Sequence, residues 1–250
     1  MEHKSAHIGD TRADGRKKRE SRPLTCELGV LARADGSCRW RNGDTEVVCS
    51  VTGPIADAPR REQIDGARLQ VTWSRASGTS SGDEVACEYA IENTLKTVVM
   101  RELHPRCVVA IAVQVVRDDG ALLSCALNAC VGALMDAGVP LRGVIGAATA
   151  GLDEDDDFIV DPLADEEAVL RVCGTLAFLN GEDTLVFSQF RSRKFRSNDE
   201  FFGTLKMAQQ LSQAAVKELR EVVANKVRRK EGIDASDSDA EDSESDAMQD

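Results

Sequence analysis

The 250-residue sequence predicts an α+β fold, and three features predict it: strand-like alternation over residues 24–54 broken by Asp-Gly and Asn-Gly pairs, two helix-periodic segments set between strands, and a long amphipathic stripe near the C-terminal end. The first strands read LTCELGVLAR (24–33), GSCRWRNG (36–43) and TEVVCSVTGP (45–54). Asp35-Gly36 and Asn42-Gly43 separate them, and such pairs favour tight hairpin turns because both residues tolerate positive φ. An antiparallel meander is expected. ARLQVTWSR (67–75) adds a strand, and the Ser/Gly-rich ASGTSSGDE that follows reads as an exposed loop.

From Glu84 to Leu103 the pattern turns helical, with Ala90, Ile91, Thr94, Leu95, Val98 and Val99 on one side, and Pro105 limits the helix. His104 beside that proline reads as a structural residue. RCVVAIAVQVVRD (106–118) is then a long strand and ALLSCALNACVGALMDAG (121–138) a helix closed by Gly138 and Pro140. Leu123, Leu127, Cys130, Val131 and Leu134 step by threes and fours, yet the other faces are small and apolar too, so this helix is enclosed on most sides. GVIGAATAGLDEDDDFIVDP (143–162) reads as two strands around an acidic hairpin, and VLRVCGTLAFLNGEDTLVFSQFRS (169–192) as a hairpin turning at Asn180-Gly181. The last element is an amphipathic helix from about Asp199 to Arg229, buried through Phe201, Leu205, Ala208, Leu211, Ala215, Leu219, Val222 and Val223. This organisation gives a flexible N-terminus (1–11), one domain (12–229) and an acidic tail (230–250).

The formal charge of −12 is concentrated: nine acids and no Lys or Arg lie in residues 231–250. Such a run has too little apolar surface to offset the entropy of ordering, so it reads as disordered. Ser236, Ser238 and Ser243 each precede an acid by three residues and suit an acid-directed kinase. The longest apolar run, Cys107 to Val116, is too short to cross a bilayer as a helix, and no secretory signal core is visible at the N-terminus. A soluble intracellular protein without a membrane partner is expected. The eight cysteines show no zinc-knuckle or redox spacing and read as reduced core residues, while three dispersed histidines offer no metal site. No metal and no cofactor are expected.

Five fragments, RADGRKKRESRP, DGSCRWRNGDTEVVCSVTGP, LHPR, DDGALLSCALNACVGALMDAGVP and IVDP, occur in an order that resembles the ribonuclease PH family over roughly residues 12–225. Within it the chain is similar to the small, bacterial-type ring subunits of the eukaryotic RNA exosome that serve ribosomal RNA processing. The resemblance implies a β-α-β-α sandwich with antiparallel and mixed sheets. It also implies assembly into a six-membered ring around a channel for single-stranded RNA.

The same resemblance assigns the phosphorolytic positions. Active relatives carry Gly-Thr-Arg or Gly-Ser-Arg after the Asp-Gly turn, where this chain has Ala121, Leu122 and Leu123 behind Asp119-Gly120. They carry two aspartates six positions apart, which alignment on IVDP places at Glu167 and Cys173. An RNA-gripping arginine fourteen residues before Arg106 becomes Glu92. Phosphorolysis needs cations or donors for the charge developing at phosphorus and a carboxylate for a proton or a metal. A leucine pair and a neutral thiol supply neither, so these implications describe a degenerate site and a non-catalytic ring subunit. The alternative is a phosphate-dependent 3′-to-5′ exoribonuclease with residual activity through Asp161, Glu167 or a neighbouring acid.

Backbone contacts to RNA need only positive charge, and Arg75, Lys96, Arg106, Arg16 and Lys17 are the candidates for them. The single Tyr (Tyr89) and the two Trp (Trp40, Trp73) lie in structured segments, so no stacking platform is indicated. Weak RNA binding that needs the assembled ring is expected. The partners the resemblance implies are five other ribonuclease-PH-like subunits, one a larger heterodimer partner, with cap proteins and a hydrolytic nuclease. The implied location is nucleus, nucleolus and cytoplasm, to which basic clusters at 16–19 and 226–230 are weak import signals.

Overall fold

The structure is a computed structural model describing residues 12–75, 82–180, 184–192 and 196–231. Its strands are β1 (Leu24–Leu28), β2 (Gly36–Asn42), β3 (Thr45–Ala56), β4 (Arg68–Arg75), β5 (Cys107–Arg117), β6 (Ile145–Leu152), β7 (Phe158–Val160), β8 (Val172–Leu179) and β9 (Leu185–Ser192). Its helices are α1 (Gly82–Val98), α2 (Leu122–Asp136), α3 (Ala164–Val169) and α4 (Asn198–Glu231). One sheet has the order β1-β2-β3-β5-β4 and the other β7-β6-β8-β9. All pairs are antiparallel except β4 with β5, which run parallel because α1 returns the chain along the sheet between them.

The layering follows from small residues on β6. Every β6 position is buried, because each face meets a helix. On one face Asn128 of α2 brackets Ala147, accepting its N–H at 2.8 Å and donating to its carbonyl at 3.0 Å, and Thr149 donates to Ser124 Oγ. On the other, Ala148 and Ala150 pack with Ala208 of α4, and a Cβ on Gly146 would stand 2.3 Å from Ser212 O. The stack is therefore sheet, α2, sheet, α4, the α+β sandwich expected. Replacing Gly146 with alanine should cost about 1–3 kcal/mol by forcing α4 off the sheet; a urea midpoint unchanged from the parent would refute this close packing.

The second hairpin turn is tight, as expected: Asn42 pairs with Thr45, and Gly43 sits at φ +55°. The first is not. The connection from β1 to β2 runs from Gly29 to Asp35, and Gly36 opens β2 rather than making a turn. A Cβ there would lie 2.3 Å from Ala137 N and 2.4 Å from Ala133 O, so this glycine serves the approach of α2. The expected helix over 84–103 also divides. It ends at Val98, the chain bridges Val99 to Leu141, and Arg101–Leu103 form a separate 3-10 turn. The short helix α3 was not foreseen, since six residues display too little of a 3.6-residue period.

Six of the eight cysteines are buried and all are free thiols, with Cys26 and Cys38 sulfurs 3.6 Å apart and those of Cys49 and Cys130 3.7 Å apart. Among the described residues no helix is long and apolar enough to cross a membrane. The expected flexible N-terminus lies outside the described residues, as do the acidic tail from 232 onward and residues 76–81 of the loop expected over 76–84, whose last three residues, Gly82 to Glu84, instead open α1. Helix α4 runs to Glu231, two residues beyond the boundary expected for it.

Candidate functional site

At the junction of β5 with α2 a cleft of about 280 Å³ opens toward the first turns of α1 and the β8–β9 hairpin. The turn at its base is forced by close contact. Gly120 has φ +85°, and a Cβ there would lie 2.5 Å from Pro162 O. Ala121 follows in the left-handed region at φ +53°, which costs a non-glycine residue on the order of 1 kcal/mol. Thr45 Oγ1 fixes the turn by accepting the Asp119 N–H at 3.1 Å and donating to Gly120 O at 2.8 Å.

The four positions singled out in the sequence converge on this cleft: Leu122, Leu123, Glu167 and Cys173 all line it. Leu122 and Leu123 present half-buried side chains from the first turn of α2, and Ser124 behind them is buried, its hydroxyl donating to Ala121 O. Glu167 reaches back from α3. Its Oε1 accepts the Ala121 N–H at 2.6 Å, and its Oε2 accepts Arg191 Nη2 at 2.6 Å. A carboxylate of the chain itself thus occupies the electropositive end of α2. Cys173 faces Arg191 across the β8–β9 ladder. Burial, and secondarily the charge of Glu167, pushes its thiol up to about 12, so it stays protonated at neutral pH.

The cations at the cleft are already paired. Arg191 holds Glu167, and Arg75 lies 3.1 Å from Asp118 and 3.8 Å from Glu84. Sequence reasoning singled out Arg75 but missed Arg191, Asp118 and Gln189. The register Cys173↔Arg191 would have found Arg191, since cross-strand neighbours share a face.

The remaining candidates are dispersed. Lys96 pairs with Glu92 one turn away on α1, so the reversed charge there is balanced locally. Arg106 is exposed at φ +59° before the first residue of β5, about 33 Å of strand from the cleft. Arg16 bonds Asp14 and the carbonyls of Glu20 and Asp161, while Lys17 extends into solvent. The arm is thereby a structural strap, with buried Arg12 on Glu166 and buried Arg22 on Asp161. Asp161, considered in the sequence as a residual catalytic acid, is corrected by this pairing: it is 4% exposed and accepts Arg22 Nε at 2.8 Å and Arg22 Nη2 at 2.6 Å. Trp40 and Trp73 are buried, but Tyr89 is 68% exposed on α1, an aromatic surface its helical context did not announce.

The 3′ exoribonuclease family, domain 1, matches residues 20–140. The exosome complex exonuclease RRP46 homolog of rice (Oryza sativa subsp. japonica) is 37% identical over 171 residues, 68% of this chain and 72% of that protein. The chain belongs to the ribonuclease PH family. Another of its members, the exosome complex component RRP46 of Saccharomyces cerevisiae, is 29% identical over 218 residues, 82% of this chain and 96% of the relative. The crystal structure of rice Rrp46 superposes with a TM-score of 0.79 at 32% identity, covering 85% of this chain and all of that one. An archaeal exosome core chain, at 19% identity and TM-score 0.68 over 84% of this chain and 92% of its own, shares the fold. The ribonuclease PH fold expected from the ordered fragments is the fold observed.

Proposed function

We propose that this chain is a non-catalytic ring subunit of an RNA exosome, contributing ring interfaces and channel wall to 3′-to-5′ RNA processing and turnover, including ribosomal RNA maturation. The similarity to proteins named as exosome components supports the ring role. The observation that carries the loss of catalysis is the cleft's charge arrangement. Both guanidinium groups there are paired within the chain, a carboxylate fills the N-terminal end of α2, and leucines stand where the family's resemblance calls for a hydroxyl and a guanidinium. A phosphate entering would meet Glu167 and Asp118 before any unpaired cation.

Removing one donor to a developing oxyanion costs about 10²–10³ in rate, and here several are replaced together. Purified chain incubated with RNA and inorganic phosphate is expected to release no nucleoside diphosphate. Phosphate-dependent release at a rate lost in Glu167→Ala would establish the alternative, a residual phosphorolytic enzyme. The partners proposed are five other ribonuclease-PH-like subunits, one of them a larger heterodimer partner, with cap proteins and a hydrolytic nuclease. Tagged chain should recover them together from nucleus, nucleolus and cytoplasm. RNA binding is proposed to be weak for the chain alone and to depend on the ring, because the exposed cations are scattered.

A further inference from the structure

Helix α3 is too short to hold its own direction, because a single turn repays little of the entropy spent in nucleating it. Whatever sets that direction also decides where Glu167 points. Glu166 is the one buried residue of α3, 7% exposed, so a carboxylate and not an apolar stripe fastens the helix to the body of the domain. Val169 adds only a half-buried contact with the cluster of Ile159, Leu170 and Cys173.

Arg12 meets that carboxylate with all of its donors engaged. Its Nε donates to Glu166 Oε1 at 2.8 Å and its Nη2 to Glu166 Oε2, while the remaining N–H groups go to Val160 O at 2.8 Å, Asp161 O at 2.9 Å and Glu20 O at 3.3 Å. A lysine, with three donors on one point charge, cannot reproduce this pattern. Glu166 Oε2 also accepts the Leu163 N–H at 2.8 Å, and the Glu167 N–H donates to Leu163 O at 2.8 Å. The first turn of α3 is therefore fixed from the strap.

Adjacent helix residues point about 100° apart. With Glu166 turned to the strap, Glu167 is sent across to Ala121 and Arg191. The backbone of α3 also rests on the cleft turn, since a Cβ on Gly120 would lie 2.6 Å from Ala164 N. At the other end of the strap Arg22 donates to the carbonyls of Asp119 and Gly120. One strap thus grips both halves of the contact that closes the cleft, α3 through Arg12 and the turn before α2 through Arg22.

We propose that Arg12 is the positioning residue for Glu167: by holding Glu166 it keeps the neighbouring carboxylate on the Ala121 N–H and so keeps inorganic phosphate out of the cleft. This role rests on the reading of Glu167 as the group that excludes the anion. Without Arg12, Glu166 is a buried carboxylate left with the Leu163 N–H, and its desolvation drives it toward water. Helix α3 and Glu167 turn with it.

Amide hydrogen exchange of the full chain reads the position of Glu167 directly. The Ala121 rate is taken relative to that of Leu127, a fully buried residue of α2 whose amide reports global opening. In Arg12→Met with Glu166→Gln no charge is left unpaired and the amide oxygen can still cap Leu163, yet the ratio is expected to rise about tenfold, as it does in Glu167→Ala. Lys18→Ala removes a strap anchor that bonds Asp153 and Asp157 in the β6–β7 turn, and should leave the ratio unchanged. If the double variant fails to fold, Arg12→Lys, which keeps the charge with two donors fewer, is expected to raise the ratio about threefold. An unchanged ratio in the folded variant overturns the proposal. So does an equal rise in Lys18→Ala, which makes the strap a general brace.

Phosphorus NMR line width of inorganic phosphate separates this role from the reading beneath it. Phosphate bound by Glu167→Ala, with an unchanged exchange ratio in the double variant, leaves Glu167 as the obstacle and removes Arg12 from its control. A raised ratio with no phosphate bound by Glu167→Ala keeps Arg12 as the residue that positions Glu167 and overturns the exclusion of phosphate by that carboxylate.

Discussion

Arg22→Ala is expected to destabilise the fold by about 3–5 kcal/mol, the range for removing one partner of a buried ion pair. The guanidinium is enclosed. It meets both carboxylate oxygens of Asp161, at 2.8 and 2.6 Å, and donates to the carbonyls of Asp119 at 2.8 Å and Gly120 at 3.3 Å. Alanine leaves Asp161 buried with only the Arg22 N–H at 2.9 Å and the distal Arg16 guanidinium at 3.6 Å. Two carbonyls of the cleft turn lose a donor at the same time. Asp161→Asn should also be costly, because it strands the buried Arg22 guanidinium and turns an amide NH2 toward donors that a carboxylate oxygen accepted. Arg22→Met with Asp161→Asn should recover part of the Arg22→Ala loss, since no unpaired charge then remains. Urea unfolding with unchanged slope reads all three, and a loss under about 1 kcal/mol for Arg22→Ala would show that the strap is not held by this pair.

The importance of that pair marks the limit of what sequence alone could deliver. Strands and helices were legible where one face repeats, as in Ile91, Leu95 and Val98 of α1 or Leu69, Val71 and Trp73 of β4, because burial imposes a period. Gly36 misled, since the same Asp-Gly pair that suits a turn also suits a strand beneath a helix, and only the approach of α2 distinguishes them. The basic arm misled in a similar way. Arg16 read as a cation available for RNA, but Asp161, which draws Arg16 and Arg22 onto the domain, lies far along the chain and no local signal joins them.

The cleft was legible in part. Resemblance to a family placed Leu122, Leu123, Glu167 and Cys173 together, and they are together. What resemblance could not give was the contact of Glu167 with the Ala121 N–H, because α3 is too short to announce itself and its direction is set by packing. Arg191 was invisible for a related reason: a lone arginine on a strand means nothing until the register puts it opposite Cys173.

Clearing that carboxylate should convert the cleft from one that rejects phosphate to one that holds it. In Glu167→Ala the Ala121 N–H and Arg191 both lose their acceptor, and the cleft's net charge rises by one. A charge-assisted hydrogen bond contributes about 1.5–3 kcal/mol and a helix N-terminus about 0.3–2 kcal/mol, so phosphate should bind with a Kd in the millimolar range, about 1–20 mM. Leu123→Arg alone should bind none, because the added guanidinium meets Glu167 first. Leu123→Arg placed on Glu167→Ala should tighten binding by roughly tenfold, the value of one more charged donor. Titrations read by phosphorus NMR line width separate these cases. Neither variant should release nucleoside diphosphate from RNA, since Cys173 remains a protonated thiol where the family's resemblance requires a carboxylate. Phosphate bound by the unaltered chain below about 1 mM would mean that Glu167 yields to the anion. The pairing at the end of α2 would then be a gate and not a plug.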